Sequence, residues 1–140
     1  MFTVNIKQIS LWITIIIWAY FIYFVSSISG QSTIMNSATT NLLAGHALEW
    51  AYHFSAFGIL SLLLCFAINI ENKLYVCKRS LIVLIIAVSY SITDEWHQSM
   101  VAYRTASLGD LLIDSIGCVS AITVAKLIRF KLSFNSQYDK

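Results

Sequence analysis

Charge is scarce in this chain. Asp, Glu, Lys and Arg make up 11% of its 140 residues, whereas 58% are hydrophobic. A soluble domain of this size needs far more charge to cover its surface, so the composition excludes that class. It indicates an integral membrane protein with one compact domain. Proline is absent, so no apolar run is broken by it. Cysteine is sparse: Cys65, Cys77 and Cys118 show neither a CxxC pair nor a Cys/His metal spacing, and all three read as unpaired thiols. The nine basic residues form no stripe beside aromatics, which excludes a nucleic-acid surface.

What the chain does have is apolar runs. A span needs about 20 residues, because the hydrocarbon is about 30 Å thick and a helix rises about 1.5 Å per residue. Residues 9–28 and 51–70 meet this, the second with His53 near its start. Two later runs are shorter, 13 residues over 81–93 and 15 over 111–125. Thirteen residues give only about 20 Å of helix, so the third segment spans only by continuing through Asp94, Glu95, His97 and Gln98. The fourth likewise draws in Asp110 and contains Asp114. The alternative is a re-entrant hairpin. Ser26, Ser27, Ser29 and Gly30 resemble a signal-peptide cleavage region, but the first apolar run exceeds the usual length of one, and a retained helix is expected. The expected architecture is an all-α membrane protein: four transmembrane helices, about 9–28, 50–70, 80–99 and 107–126, in a compact bundle.

Lys and Arg set the expected orientation. Lys7, Lys73, Lys78, Arg79, Lys126, Arg129, Lys131 and Lys140 fall on one side of a four-span chain, and Arg104 alone on the other. Both termini are therefore expected to be cytoplasmic. The connections at 31–50, a Ser/Thr/Asn-rich loop, and at 99–106 then face outward. With them go His46, expected in the loop, together with His53, His97, Glu49, Asp94, Glu95, Asp110 and Asp114. Polar groups from distant segments thus converge on one membrane face.

Ionisable groups at membrane depth are costly and mark function by default. At about 100° per residue, Asp94 and Gln98 share one helix face, flanked by Glu95 and His97, with Trp96 opposite. Ser107, Asp110, Asp114, Gly117 and Ala121 form a second stripe. Within it Ser107 and Asp110 have the spacing of a helix cap, and Gly117 and Ala121 that of close helix packing. His53 shares a face with Glu49. Arg104, the lone outward cation, suits a pairing with Asp110 or Asp94, or a phosphate. Clustered carboxylates oppose one another's ionisation, so some are expected to be protonated, paired with His or neutralised by a cation. The bland readings are a frayed acidic helix end, a packed His and a snorkelling Arg.

The run Asp94, Glu95, Gln98, Arg104, Ser107, Asp110, Asp114 and Gly117 resembles the VanZ-like family of bacterial membrane proteins. Its pattern is D-E-x-x-Q, then R, then S-x-x-D-x-x-x-(N or D)-x-x-G, and His53-Phe54 matches a His-Phe pair that often opens its second helix. The resemblance covers residues 50–125. Many members carry Pro-Gly just before the Arg, where this chain has Ala102-Tyr103, so the Arg loop is expected to turn differently. Many also carry a Lys shortly before the His, where this chain has Glu49-Trp50.

The resemblance implies a single VanZ-like membrane domain over 1–140 in the bacterial cytoplasmic (inner) membrane. It further implies lowered susceptibility to teicoplanin-type glycopeptide antibiotics. On the residues, a pocket built from His53, Asp94, Glu95, Gln98, Arg104, Asp110 and Asp114 would bind a lipid-linked or amphipathic ligand. A lipid-linked cell-wall precursor or the antibiotic itself fits that description. The competing reading is a membrane enzyme acting on a lipid or lipid-linked precursor, with Asp94, Glu95 and His97 as candidate catalytic groups. A metal held by His53, His97 and the acids could activate water, but no standard zinc motif is present, so no metal is assigned and the cofactor stays open. A third reading is a structural or partner-binding bundle with no small-molecule site.

Overall fold

In the computed structural model, which describes residues 6–28, 42–68 and 76–138, the chain is all helix. Four helices and no strand occur among the described residues: α1 (Ile6–Ser26), α2 (Leu42–Ala67), α3 (Val76–Gln98) and α4 (Leu108–Tyr138). Three stretches, Ile6–Ser26, His46–Ala67 and Leu108–Lys131, are long and apolar enough to cross a membrane. Most of the loop expected over 31–50, together with Ser29, Gly30, Lys73 and Lys140, lies outside the described residues, as does the Cys77 side chain.

The less apolar α3 is one continuous helix of 23 residues, not a re-entrant hairpin. Its length of about 35 Å is reached by running on through the acids at its C-terminal end. Two helices exceed their expected bounds. α2 begins at Leu42, because residues 42–49 are mostly good helix formers. His46 is therefore an exposed helical residue beside Trp50, not a loop residue. α4 continues to Tyr138, since a helix can outlast its apolar stretch once polar residues face water.

The helices alternate in direction. At one end, Gln8 Nε2 donates to the Ala67 carbonyl at 2.9 Å, Arg79 Nη1 to that of Ile68 and Arg129 Nη2 to that of Cys65 at 3.0 Å. These contacts gather the start of α1, the end of α2, the start of α3 and the later part of α4. The remaining helix ends meet at the opposite pole. Most packing is between α2 and α4, with α3 against α4 next.

Gly117 makes the α2–α4 approach possible. A Cβ there would lie 2.4 Å from the Phe54 carbonyl oxygen, so only glycine lets the backbones pass so closely. Gly58 faces it across the seam, where an added Cβ would be 3.5 Å from the Gly117 oxygen. A small apolar core around Phe57, Leu60, Leu64, Val83, Cys118 and Ile122 fills the middle of the bundle. Its outside is apolar too, with Ile16, Ile17, Ile85, Ile116 and Trp96 exposed. An apolar exterior around buried acids suits a lipid solvent.

Candidate functional site

The buried polar groups gather at the pole formed by the end of α1, the start of α2, the end of α3 and the start of α4. The deepest is Asp114, which has no exposed surface. Its Oδ1 meets His53 Nδ1 at 3.0 Å, and its Oδ2 accepts from Ser91 Oγ. The pair is fully buried on both sides. Such burial is tolerable because both carboxylate oxygens are partnered, as a desolvated charge requires.

Asp94 lies next along α3. Ser26 Oγ and Gln98 Nε2 each donate to its Oδ2 at 2.9 Å. Gln98 then presents Oε1 to Arg104 Nη1 at 3.2 Å, while Arg104 Nε reaches the Ile28 carbonyl at 3.3 Å. The ion pair of Arg104 is with Glu49, at 3.7 Å, with side-chain exposures of 19% and 35%. The sequence suits Arg104 to a pairing with Asp94 or Asp110, or to a phosphate. The geometry instead links it to Asp94 through Gln98 and gives its charge to α2.

Glu95 and Asp110 share the start of α4. The Asp110 backbone N–H donates to Ser107 Oγ at 3.3 Å, so Ser107 is the N-cap the spacing suggests. In the reciprocal cap the acid three residues on would accept from the Ser107 N–H. Here Glu95 Oε2, from α3, accepts that bond at 2.7 Å. One acid caps another helix, and the Asp110 carboxylate is released from capping. Asp110 is itself buried.

All seven residues expected to bind ligand, His53, Asp94, Glu95, Gln98, Arg104, Asp110 and Asp114, are thus at one pole. His97 departs from the group. It is half-buried, its Nε2 is 3.0 Å from Ser27 Oγ, and its ring lies 4.4 Å from that of Tyr23, on α1. Trp96 is exposed, opposite the buried face, as helical periodicity requires.

Ser91 and Tyr52 are participants that the sequence does not single out, and Ser26 stands out there only within a stretch resembling a cleavage region. Ser91 had a signal: with Asp94, Glu95 and Gln98 it completes an i, i+3, i+4, i+7 polar stripe. Ser26 had none for this role beyond closing an apolar run. The Tyr52 ring sits edge-on to His53 with centroids 5.6 Å apart.

Three buried polar atoms in this region have no hydrogen-bond partner among the described residues: His53 Nε2, Glu95 Oε1 and Tyr52 Oη. Buried polar groups are nearly always satisfied, and exceptions call for an explanation. Two sets of side chains could share a cation, Glu49 with His53 and Asp110, and His53 with Glu95 and Asp114. In each set the ligand atoms lie within 4.8 Å of one another.

At the Arg loop, Tyr103 has φ 61°. This is the left-handed region that glycine enters most easily, and it falls where the resemblance expects Gly. The turn is one that glycine would serve, made here with tyrosine.

No curated protein and no solved structure matches the chain significantly. The family model described as VanZ/LLP1 matches residues 11–129. That stretch runs from the first turns of α1 into α4 and contains every residue of the polar pole. The chain belongs to the VanZ/LLP1 family.

Proposed function

We propose that this protein is a four-span, VanZ-like protein of the bacterial cytoplasmic membrane, with both termini inside. Its polar pole forms an outward pocket for a lipid-linked or amphipathic ligand. The observation that carries this reading is the arrangement of charge. Asp94, Glu95, Asp110 and Asp114 are buried at one pole, with Arg104 and Glu49 half-exposed at its rim. A structural network would close on itself, whereas this one leaves His53 Nε2 and Glu95 Oε1 without a partner among the described residues. Arg104 is placed to meet a phosphate or carboxylate in bidentate fashion, and the acids beneath to meet a cationic group.

The orientation is supported by the opposite pole, where Lys78, Arg79, Lys126, Arg129 and Lys131 lie, as the positive-inside rule requires of the cytoplasmic side. On this reading the protein alters how teicoplanin-type glycopeptides meet their lipid-linked target. Deleting the gene should change teicoplanin susceptibility and the profile of extracted wall lipids. No change in either would reject the proposal.

One observation favours an enzyme as the second reading. Ser91 donates to Asp114 and the carboxylate accepts from His53 Nδ1, so a neutral ring keeps its lone pair on Nε2. A buried carboxylate that fixes the imidazole tautomer is how acids and bases are oriented for catalysis. Turnover of extracted lipids, lost in a folded Glu95→Gln variant, would establish this reading.

A further inference from the structure

We propose that the polar pole is a divalent transition-metal site. His53 Nε2, Glu95 Oε1, Glu49 and Asp110 are the ligands, and Asp114 is the residue that orients His53. The inference deepens the pocket reading above by assigning its cation, and it rests on that pocket being a site.

Two buried atoms point to a ligand independently of the cluster of acids. His53 has no exposed surface and Glu95 only 6%, yet His53 Nε2 and Glu95 Oε1 lack partners among the described residues. In both residues the other polar atom is firmly held. His53 Nδ1 is on Asp114 at 3.0 Å, and Glu95 Oε2 is on the Ser107 N–H at 2.7 Å. Each side chain is anchored by one atom and offers the other. A metal-binding His typically gives its second ring nitrogen to a carboxylate, which fixes the ring and raises ligand basicity. Asp114 occupies that position, and Ser91 holds Asp114 in turn.

The spacing is suitable around His53. Glu49, His53 and Asp110 bring ligand atoms within 4.8 Å of one another, and so do His53, Glu95 and Asp114, so the two groups meet at His53. Ligands at about 2.1 Å from a tetrahedral metal lie about 3.4 Å from one another. Glu49 is half-exposed at the rim and can swing inward, and Asp110 is freed for the role because Glu95 performs its capping bond. One imidazole with carboxylates suits Zn²⁺ or Mn²⁺, and the lack of thiolate in the set argues against softer ions.

Charge runs the same way. Glu49, Glu95, Asp110 and Asp114 face His53 from α2, α3 and α4, and the fixed positive charge near them is that of Arg104, 3.7 Å from Glu49. A divalent ion would take Glu49 from Arg104 and free the guanidinium for an anionic ligand. Metal and Arg104 would then present two adjacent positive centres, the arrangement a phosphate diester or pyrophosphate requires.

The test uses the full-length protein in detergent, stripped of metal and titrated with ZnCl₂ or MnCl₂ alone, with elemental analysis after dialysis. The expected result is about one bound ion per chain at saturation, as a single site requires. Asparagine at position 53 keeps an amide N–H for Asp114 but removes Nε2, so His53→Asn should abolish stoichiometric binding. Glu95→Gln and the rim variant Glu49→Gln should weaken binding, and Asp114→Asn should weaken it by about 10–100-fold through the ring it orients. His46→Gln, on an exposed face, should bind as wild type does. Arg104→Gln should bind metal at least as tightly, because a nearby positive charge is removed, whereas a merely structural network would only lose stability.

Wild type that binds no stoichiometric metal, or binding that survives both His53→Asn and Glu49→Gln, would overturn the inference. An ammonium compound such as ethanolamine binding in place of metal would overturn it too. Because the readout is metal content, a negative result leaves the glycopeptide reading standing. Stoichiometric metal without a teicoplanin effect rejects that reading instead.

Discussion

Asp114 is held from two sides at the centre of the proposed site. It has no exposed surface and is partnered by His53 and Ser91. Removing one member of a buried pair leaves the other uncompensated, at a cost of about 3–5 kcal/mol. Asp114→Ala should therefore lower thermal stability in detergent by that amount, while Ser91→Ala should cost only about 1–3 kcal/mol, the penalty for one unmet bond. Equal effects from the two would contradict the geometry. Asp94, Gln98 and Asp110 were legible in the sequence because two apolar runs are too short to span without them, and Asp114 because it interrupts one of those runs. Ser26 was not, because a hydroxyl is common in a span, and nothing local to α1 reveals that it faces Asp94. The exchange of caps between Glu95 and Asp110 was equally hidden, since the spacing of Ser107 and Asp110 fits a local cap and only tertiary structure brings α3 to that N–H.

At the scale of elements, α2 and α4 approach each other most closely, and the contact is set by Gly117. A methyl group there would lie 2.4 Å from the Phe54 oxygen and 3.2 Å from its carbonyl and α carbons. All three are backbone atoms, so nothing can rotate away and the helices must part. Gly117→Ala should cost about 1–3 kcal/mol and, by shifting His53 away from Asp114, weaken metal binding as well. Gly58→Ala, where the new methyl meets ordinary contact at 3.5 Å, should be tolerated on both measures. Thermal unfolding of the two variants side by side checks the contrast. The small-residue spacing of Gly117 and Ala121 made a packing face readable in the sequence. It did not reveal which helix would meet that face, because any neighbour could fill such a groove. The extension of α3 through its acids was readable from length alone: its apolar run was too short to cross, and the helix does continue.

For the whole molecule, the governing pattern is polarity between the two ends of the bundle. Among the described residues the acids and His53 occupy one pole, and Lys78, Arg79, Lys126, Arg129 and Lys131 the other. Four alternating helices turn a sequence-level count of Lys and Arg into two chemically distinct ends. With the acidic pole outside, a cysteine placed at exposed Ala106 should react with an impermeant maleimide in intact cells, and one at exposed Lys131 only after lysis. The opposite labelling would invert the topology. The family was legible because its motif residues are those that build the pole. A metal on His53, His97 and the acids was conceivable from the sequence, but the proposed ligand set was not: Glu49 and His53 share a helix face, whereas Glu95 and Asp110 join them from two other helices at no diagnostic spacing.

The most direct test is the binding of fluorescent teicoplanin to cells lacking the gene, complemented with wild type or with Glu95→Gln at matched amounts of folded membrane protein. If the polar pole is a site, wild type restores the altered binding and Glu95→Gln does not. If Glu95→Gln restores it as fully as wild type, the pole is scaffold and the account fails.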